Sequence, residues 1–395
     1  MSTVPASVLL VTPRWARDGG VAAHVQASAE LLSRSGVAVE VLAAQVDAHE
    51  HLGGVTVHHS PALFDRQAPM ELRVGAALVS KPEMIHLHQV DDPEIVTALR
   101  RSAPVVISAH GYSACTSGVY YFQPGQECTR AHGPACIPNL AVRGCAHTRY
   151  PQTLPAKYRN ATRARGALQQ ADLVIAYSAA VDRHLAANGL RRRRVIPLFT
   201  TVTALSGSGH AQRRRMVFAG RIVPAKGVDV LIRAVRDVDG ELVICGEGRR
   251  LAEMRRLADR LKLGERVSFR GWLDADSLAR ELSEASVVVL PSRWPEPFGL
   301  VGIEAFAAGR PVIASATGGI GEWLQDGVSG MLVPAGDERA LARALNELLD
   351  DPERQQKMGA AGRLTVQERF SPERHVAALL DAYVLALAGR ESAPL

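Results

Sequence analysis

The chain has 395 residues, of which 47% are apolar, 5% aromatic and 22% charged, with a formal net charge of +6. That length exceeds one ordinary domain and suits two of moderate size, each with its own core. No apolar run approaches the roughly 18 residues of a membrane span, and Met1–Ala6 lacks the pattern of a secretory signal, so the expected compartment is the cytoplasm.

Short apolar runs alternate with helical patterns from the start. Strands are predicted at 7–11, 37–43, 55–58, 84–87, 105–108, 173–177 and 195–198, with helices over 20–35 and 92–101, the latter capped by Asp91 or Asp92. Such alternation argues for a parallel sheet covered on both faces. Residues 111–156 break the rhythm with Gly, Pro, Cys and Tyr in no clear period, and a long irregular stretch inside a compact domain is usually functional. Residues 200–215 are polar, then basic, and read as a linker. The alternation then restarts. Strands are predicted at 216–219, 241–245, 267–270, 287–290 and 312–314. Helices are predicted at 228–235, 249–261, 277–285 and 300–308, and three more over 338–349, 352–369 and 372–387. The expected division is therefore 1–199, with an insertion at 111–156, a linker at 200–215, a second α/β domain at 216–370, and a C-terminal helix at 371–395 that crosses back to the first domain. Two doubly wound, Rossmann-like sheets would face each other across a cleft and hold ligand at the carboxyl ends of their strands.

Charge is uneven. Residues 100–200 hold fourteen Lys or Arg against Glu127, Asp172 and Asp182, a net +11, with Arg191–Arg194 the densest run. This is either a solvated arginine-rich face or a site for a phosphate-bearing partner or an anionic membrane surface, the latter implying peripheral contact at the inner face of the membrane. The region lacks the aromatic interleaving of a nucleic-acid module, so no nucleic-acid partner is expected.

Two segments carry chemistry. Gly220–Gly227 (GRIVPAKG) follows a strand and opens a helix, so Arg221 and Lys226 can grip a diphosphate from two sides. Pro295–Glu304 (PEPFGLVGIE) sets Glu296 in a loop, shapes a helix start with Pro297 and Gly299, and puts Glu304 one turn inside. Amides at a helix N-terminus suit phosphate oxygens, and the two carboxylates suit ribose and sugar hydroxyls. Asp274-Ala275-Asp276 has the form of a metal-binding pair but directly precedes a helix and reads as its cap. Cys115, Cys128, Cys136 and Cys145 fall within a short span, without any Cys-x-x-Cys pair. They are either free thiols or ligands of a structural zinc.

Together these segments resemble the large family of retaining GT-B glycosyltransferases, family four (glycosyl transferases group 1). The matching residues run in order through Phe218–Arg221, Lys226-Gly227, Cys245–Gly248, Phe269–Trp272, Leu290–Ser292, Glu296–Gly299, Glu304-Ala305, Gly309–Ala314, Gly318–Glu322, Gly330–Val333 and Gly336-Asp337. The resemblance implies a donor pyrophosphate on Arg221 and Lys226, ribose hydroxyls on Glu304, and the transferred sugar at Glu296. It also implies backbone contacts from Phe298, Gly299, Leu300 and Val301, and the base at the strand end around Gly271. In the N-terminal half, Gly19 and Gly20 stand where the family has a glycine loop, and His110 where it has a histidine beside the reacting sugar. Pro197-Leu198-Phe199-Thr200-Thr201 departs from the family's Pro-Asn-Gly-Val-Asp.

The implied activity is transfer of a hexosyl unit, with retention, from a nucleotide diphosphate sugar, UDP-linked ahead of GDP-linked. The acceptor would be a hydroxyl on a glycan, a glycolipid or a small metabolite, phosphate-bearing or lipid-linked acceptors included. No cofactor or metal is expected for the chemistry. A nucleotide-sugar epimerase of the same fold and a non-catalytic nucleotide-sugar-binding protein are the rival readings.

Overall fold

A computed structural model describes residues 3–16, 20–47, 53–115, 120–121, 126–143, 145, 151–202 and 214–391. The chain divides into two units, one of residues 1–197 with 372–395, the other of residues 198–371. Among the described residues, no helix is long and apolar enough to cross a membrane.

The first unit contains β1 (Ser7–Trp15), β2 (Ala38–Val46), β3 (Val55–His59), β4 (Met84–His88), β5 (Val105–Ala109), a separate hairpin of β6 (Tyr120–Tyr121) and β7 (Gln126–Glu127), then β8 (Leu173–Ala176) and β9 (Arg193–Val195). All but the hairpin join one sheet in the order β3-β2-β1-β4-β5-β8-β9, parallel throughout. Every residue of β4, β5 and β8 is buried, as in a sheet with helices on both faces. The strand expected at 195–198 falls instead on Arg193–Val195, pairing Val174 with Arg193 and Ala176 with Val195. Pro197 has no N–H to extend that ladder.

Three helices in this unit escape the apolar pattern: Met70–Val79, Leu154–Gln170 and Ala179–Ala187. The second buries Ala161, Ala164, Ala167 and Leu168, a stripe too small to stand out as a hydrophobic period. It also enters the stretch read as irregular. The described part of that stretch holds a further helix, Cys136–Val142, and the hairpin. Asp92 caps Pro93–Arg100, its side chain accepting from the Glu94 N–H. The C-terminal helix, Pro372–Glu391, belongs to the first unit.

The second unit contains β10 (Arg215–Ala219), β11 (Glu241–Cys245), β12 (Val267–Gly271), β13 (Val287–Leu290), β14 (Val312–Ser315) and β15 (Gly330–Val333). They form a parallel sheet in the order β12-β11-β10-β13-β14-β15. This is the doubly wound order that reverses between its first and fourth strands, and ligands bind in the crevice at that reversal. Here the reversal lies between β10 and β13, which pair directly. Arg215, read as linker, instead opens β10 and pairs with Glu281 at 2.5 Å. Residues 203–213 of the expected linker lie outside the described residues. Asp274 caps helix Ala275–Ser283, its carboxylate 2.7 Å from the Ser277 nitrogen.

Candidate functional site

In the second unit, the loops after β10 and β13 bring together residues 70 positions apart. Lys226 Nζ lies 2.8 and 3.0 Å from the two carboxylate oxygens of Glu296. The approach depends on Gly227, which takes φ +65° after the short turn Pro224–Lys226. A Cβ there would stand 1.9 Å from the carbonyl oxygen of Pro291, just past β13. Only glycine lets the two loops close this far.

Glu296 is 3% exposed. It accepts from the Ser292 hydroxyl and from the Trp294 indole N–H at 3.3 Å. These donors satisfy the oxygens of a buried carboxylate. Lys226 keeps about a quarter of its side chain open. Arg221, on the same loop, is exposed, and its side chain has no partner among the described residues. The sequence assigned Lys226 and Glu296 to different parts of a donor, yet they are bonded to each other, so each orients its partner.

The chain then turns into helix Leu300–Ala307 through Gly299, which stands at φ +92°. Phe298 is buried, its ring against Phe370 at 5.6 Å, and its carbonyl accepts from the Trp323 indole at 2.6 Å. That carbonyl is therefore occupied. Leu300 and Val301 form the first turn, partly open, with the N–H groups no helix can satisfy internally. Glu304 stands one turn in. Desolvation by the surrounding protein pushes its carboxyl up to about 7. Gly271 ends β12 at φ +71°, its carbonyl taken by the Gly246 N–H at 2.6 Å.

In the first unit, Gly19 lies outside the described residues, and Gly20 opens helix Gly20–Arg34. His110 follows β5 by one residue. It meets His88, the last residue of the neighbouring β4, with 3.0 Å between His110 Nε2 and His88 Nδ1. Three further histidines crowd the same place. His24 and His375 have ring centroids 5.2 Å apart, and His86 and His88 4.1 Å. His24 Nε2 is 3.2 Å from the Tyr177 hydroxyl, which donates to Ser108 Oγ at 2.8 Å. His86 bridges Ser108 Oγ and the Tyr383 hydroxyl, both at 2.8 Å. Burial pulls His110 and His86 down to about 3, so both rings are neutral at any working pH. Sequence reasoning singled out His110 and missed His88, although β4 reads His-x-His, which puts both rings on one face of the strand.

Cys128 packs against buried Cys145 in a small cluster with Leu140, Leu154 and Tyr158. Among the described residues no group of three or more His, Cys, Asp or Glu is arranged to hold a metal ion. The basic region is partly neutralised from within. Arg100 pairs with Asp172 at 2.7 Å, Arg163 with Asp92 at 2.9 Å and Arg193 with Asp182 at 2.7 Å. Asp172 and Asp182 are already counted in the +11, so of these three pairs only the one with Asp92 takes from it.

The fold is that of the GT-B class. The sucrose-phosphate synthase of Thermosynechococcus elongatus superposes with a TM-score of 0.75 at 23% identity, over 95% of this chain and 98% of that one. Anabaena HepE, solved with UDP and glucose, gives 0.72 at 20% identity, over 95% and 98%. The family described as Glycosyltransferase Family 4 matches residues 18–200, and that described as Glycosyl transferases group 1 matches residues 208–365. The chain belongs to this glycosyltransferase family. A D-inositol 3-phosphate glycosyltransferase of Paenarthrobacter aurescens is 29% identical over 94% of both chains. One of Streptomyces griseus is 41% identical, over 43% of this chain and 39% of its own length.

Proposed function

We propose that this protein moves a hexosyl unit from a UDP-sugar to a hydroxyl acceptor with its anomeric configuration retained. The observation that carries the reading is the Lys226–Glu296 pair, set at the strand reversal beside exposed Arg221 and the open helix start at Leu300. Cations and free amides on the two loops that flank this strand reversal are the groups a diphosphate needs. HepE, with the same fold, was solved with UDP-glucose, which favours uridine over guanosine.

In this reading the bond from the anomeric carbon to the diphosphate oxygen breaks, and one to the acceptor oxygen forms on the same face. The acceptor proton passes to the departing phosphate oxygen. Arg221 and Lys226 stabilise the charge that develops there, Glu296 holds Lys226 and meets the sugar hydroxyls, and Glu304 accepts from the ribose diol. His110, held near 3, is too weak a base to take the proton. It orients the sugar by hydrogen bonding, with His88 fixing its ring.

The acceptor is a hydroxylated, phosphate-bearing molecule. Relatives act, by name, on an inositol phosphate. The first unit holds a cavity of about 740 Å³ lined by Asp65, Arg66, Gln89, Asp91, Ser113 and Lys157. Carboxylates and amides there suit hydroxyls, and Lys157 suits a phosphate, while Arg66 lies 3.7 Å from Asp92, which lines the same cavity.

The test is a panel of nucleotide sugars, screened by thermal shift and then incubated with inositol phosphates and simple sugars. UDP-sugars should raise the melting temperature, by less in Lys226→Ala, and should give a product whose anomeric configuration by NMR matches the donor. A donor isomerised without any acceptor would identify an epimerase instead. Tight donor binding without any turnover would identify a binding protein.

A further inference from the structure

A second cluster of cations lies in the second unit, away from the donor loops. Arg310 and Arg363 line a cavity of about 250 Å³ together with Ser286, Pro311, Pro352 and Gln355. Ser286 and Pro311 immediately precede β13 and β14, whereas the Glu296 loop follows β13. The cavity is therefore at the opposite edge of the sheet. At about 3.3 Å per residue, these four-residue strands separate the two edges by roughly 13 Å.

The two guanidinium groups have no carboxylate partner among the described residues. Arg310 donates to the Ser283 carbonyl, and its Nε is buried without a partner. Arg363 is exposed and lies over Gly309, where an added Cβ would come within 2.2 Å of its Nη2. Burial and the charge of Arg363 both push Arg310 below its ordinary value, with no acid acting in the other direction. The acids beside this wall are already engaged. Asp350 binds Arg214 at 2.5 Å, and Asp351 caps Pro352–Arg369 by accepting from the Arg354 N–H at 2.9 Å. That helix begins at the cavity with Pro352, its N-terminus already capped by Asp351.

We infer that this cavity binds a small phosphate-bearing anion, distinct from the sugar donor, between Arg310 and Arg363. Two planar guanidinium groups left without acids match the oxygens of one phosphate group, and the anion removes their mutual repulsion. The volume admits a phosphate with a small organic residue. The site also has a route to the donor loops. Helix Leu300–Ala307 starts at Gly299 and runs to its cap at Ala308, two residues before Arg310, so an anion there acts on the element that carries Glu304, whose carbonyl accepts from the Ala308 N–H at 3.0 Å.

The probe is inorganic phosphate, titrated into the full chain at constant ionic strength while the melting temperature is followed. The wild type should be stabilised, and Lys226→Ala should keep that response. Arg363→Gln and Arg310→Gln should each weaken the apparent phosphate affinity at least tenfold. Arg363→Glu, which supplies Arg310 with a carboxylate, should melt higher than wild type without phosphate and should not respond to it. A response abolished by Lys226→Ala and intact in Arg363→Gln would assign the phosphate to the donor loops and overturn the inference. No response in the wild type, with a lower melting temperature in Arg363→Gln, would mean that the two arginines only close helix C-termini. That result would leave the reading of the donor site untouched.

Discussion

At neutral pH the Glu304 carboxyl is divided between its two protonation states, because burial lifts it to about 7. The carboxylate accepts from a ribose diol on both oxygens, and more strongly than the protonated form, one of whose oxygens carries the proton. UDP affinity should therefore rise as pH climbs from about 6 to 8, by up to tenfold per unit below the carboxyl's own value. Calorimetric titration of wild type and Glu304→Gln checks this. Since UDP itself ionises in that range, the ratio of the two affinities is the relevant quantity. It should grow with pH, and a constant ratio would place the ribose elsewhere. Both partners of the Lys226–Glu296 pair were legible in the sequence as separate motifs. Their contact was not, because it depends on β10 and β13 being neighbours, which no local pattern records. His88 was missed for a related reason, since its meaning comes from His110 on the adjacent strand.

At the scale of elements, strands such as Val287–Leu290 announce themselves because a fully buried parallel strand must be apolar at every position. Helices that pack through alanine, such as Leu154–Gln170, carry no comparable signal. Helix Leu300–Ala307 was legible, but the side chain that seats it was not. Trp323, 1% exposed, lies across Gly302, where a Cβ would come within 2.0 Å of the ring, and binds the Phe298 carbonyl. Helix propensity alone would make Gly302→Ala stabilising by about 1 kcal/mol. The buried ring has nowhere to move, so overpacking should reverse the sign and cost about 1–3 kcal/mol. Denaturant melts of this variant decide between the two, and UDP binding should weaken with it as the Phe298–Gly299 turn shifts. A more stable Gly302→Ala would show that Trp323 does not rest there.

For the whole molecule, the histidine cluster sets the acid limit. His24, His86, His88, His110 and His375 lie together, with Tyr177, Tyr383, Ser108 and the Pro197 carbonyl among their hydrogen-bond partners. Burial holds His110 near 3 and, against the pull of the Pro197 carbonyl, His375 near 4; burial with added repulsion from neighbouring histidines holds His86 near 3 and His24 and His88 well below 6.5. The folded-state values lie below the unfolded one, so the unfolded chain binds more protons between about 6.5 and 3. Stability is then complete above about 6.5 and is lost as pH falls through that window. Unfolding free energies measured from pH 7.5 to 4.5 should decline, with a slope approaching about 1.4 kcal/mol per pH unit for each such ring. His88→Phe should shallow that slope by one ring. A wild-type profile flat to pH 4.5 would mean that these rings are solvated.

The return of helix Pro372–Glu391 to the first unit also orders events during synthesis. His86 needs the Tyr383 hydroxyl, and His375 Nδ1 donates to the Pro197 carbonyl at 2.7 Å. The nascent first unit therefore waits, its polar interior unfinished, while all of residues 198–371 are translated. At ribosomal speeds that delay is on the order of ten seconds or more. The second unit, contiguous in sequence, has every strand of its sheet outside the ribosome before the first unit has its last helix. The half of the protein that is made first is thus the half that is completed last.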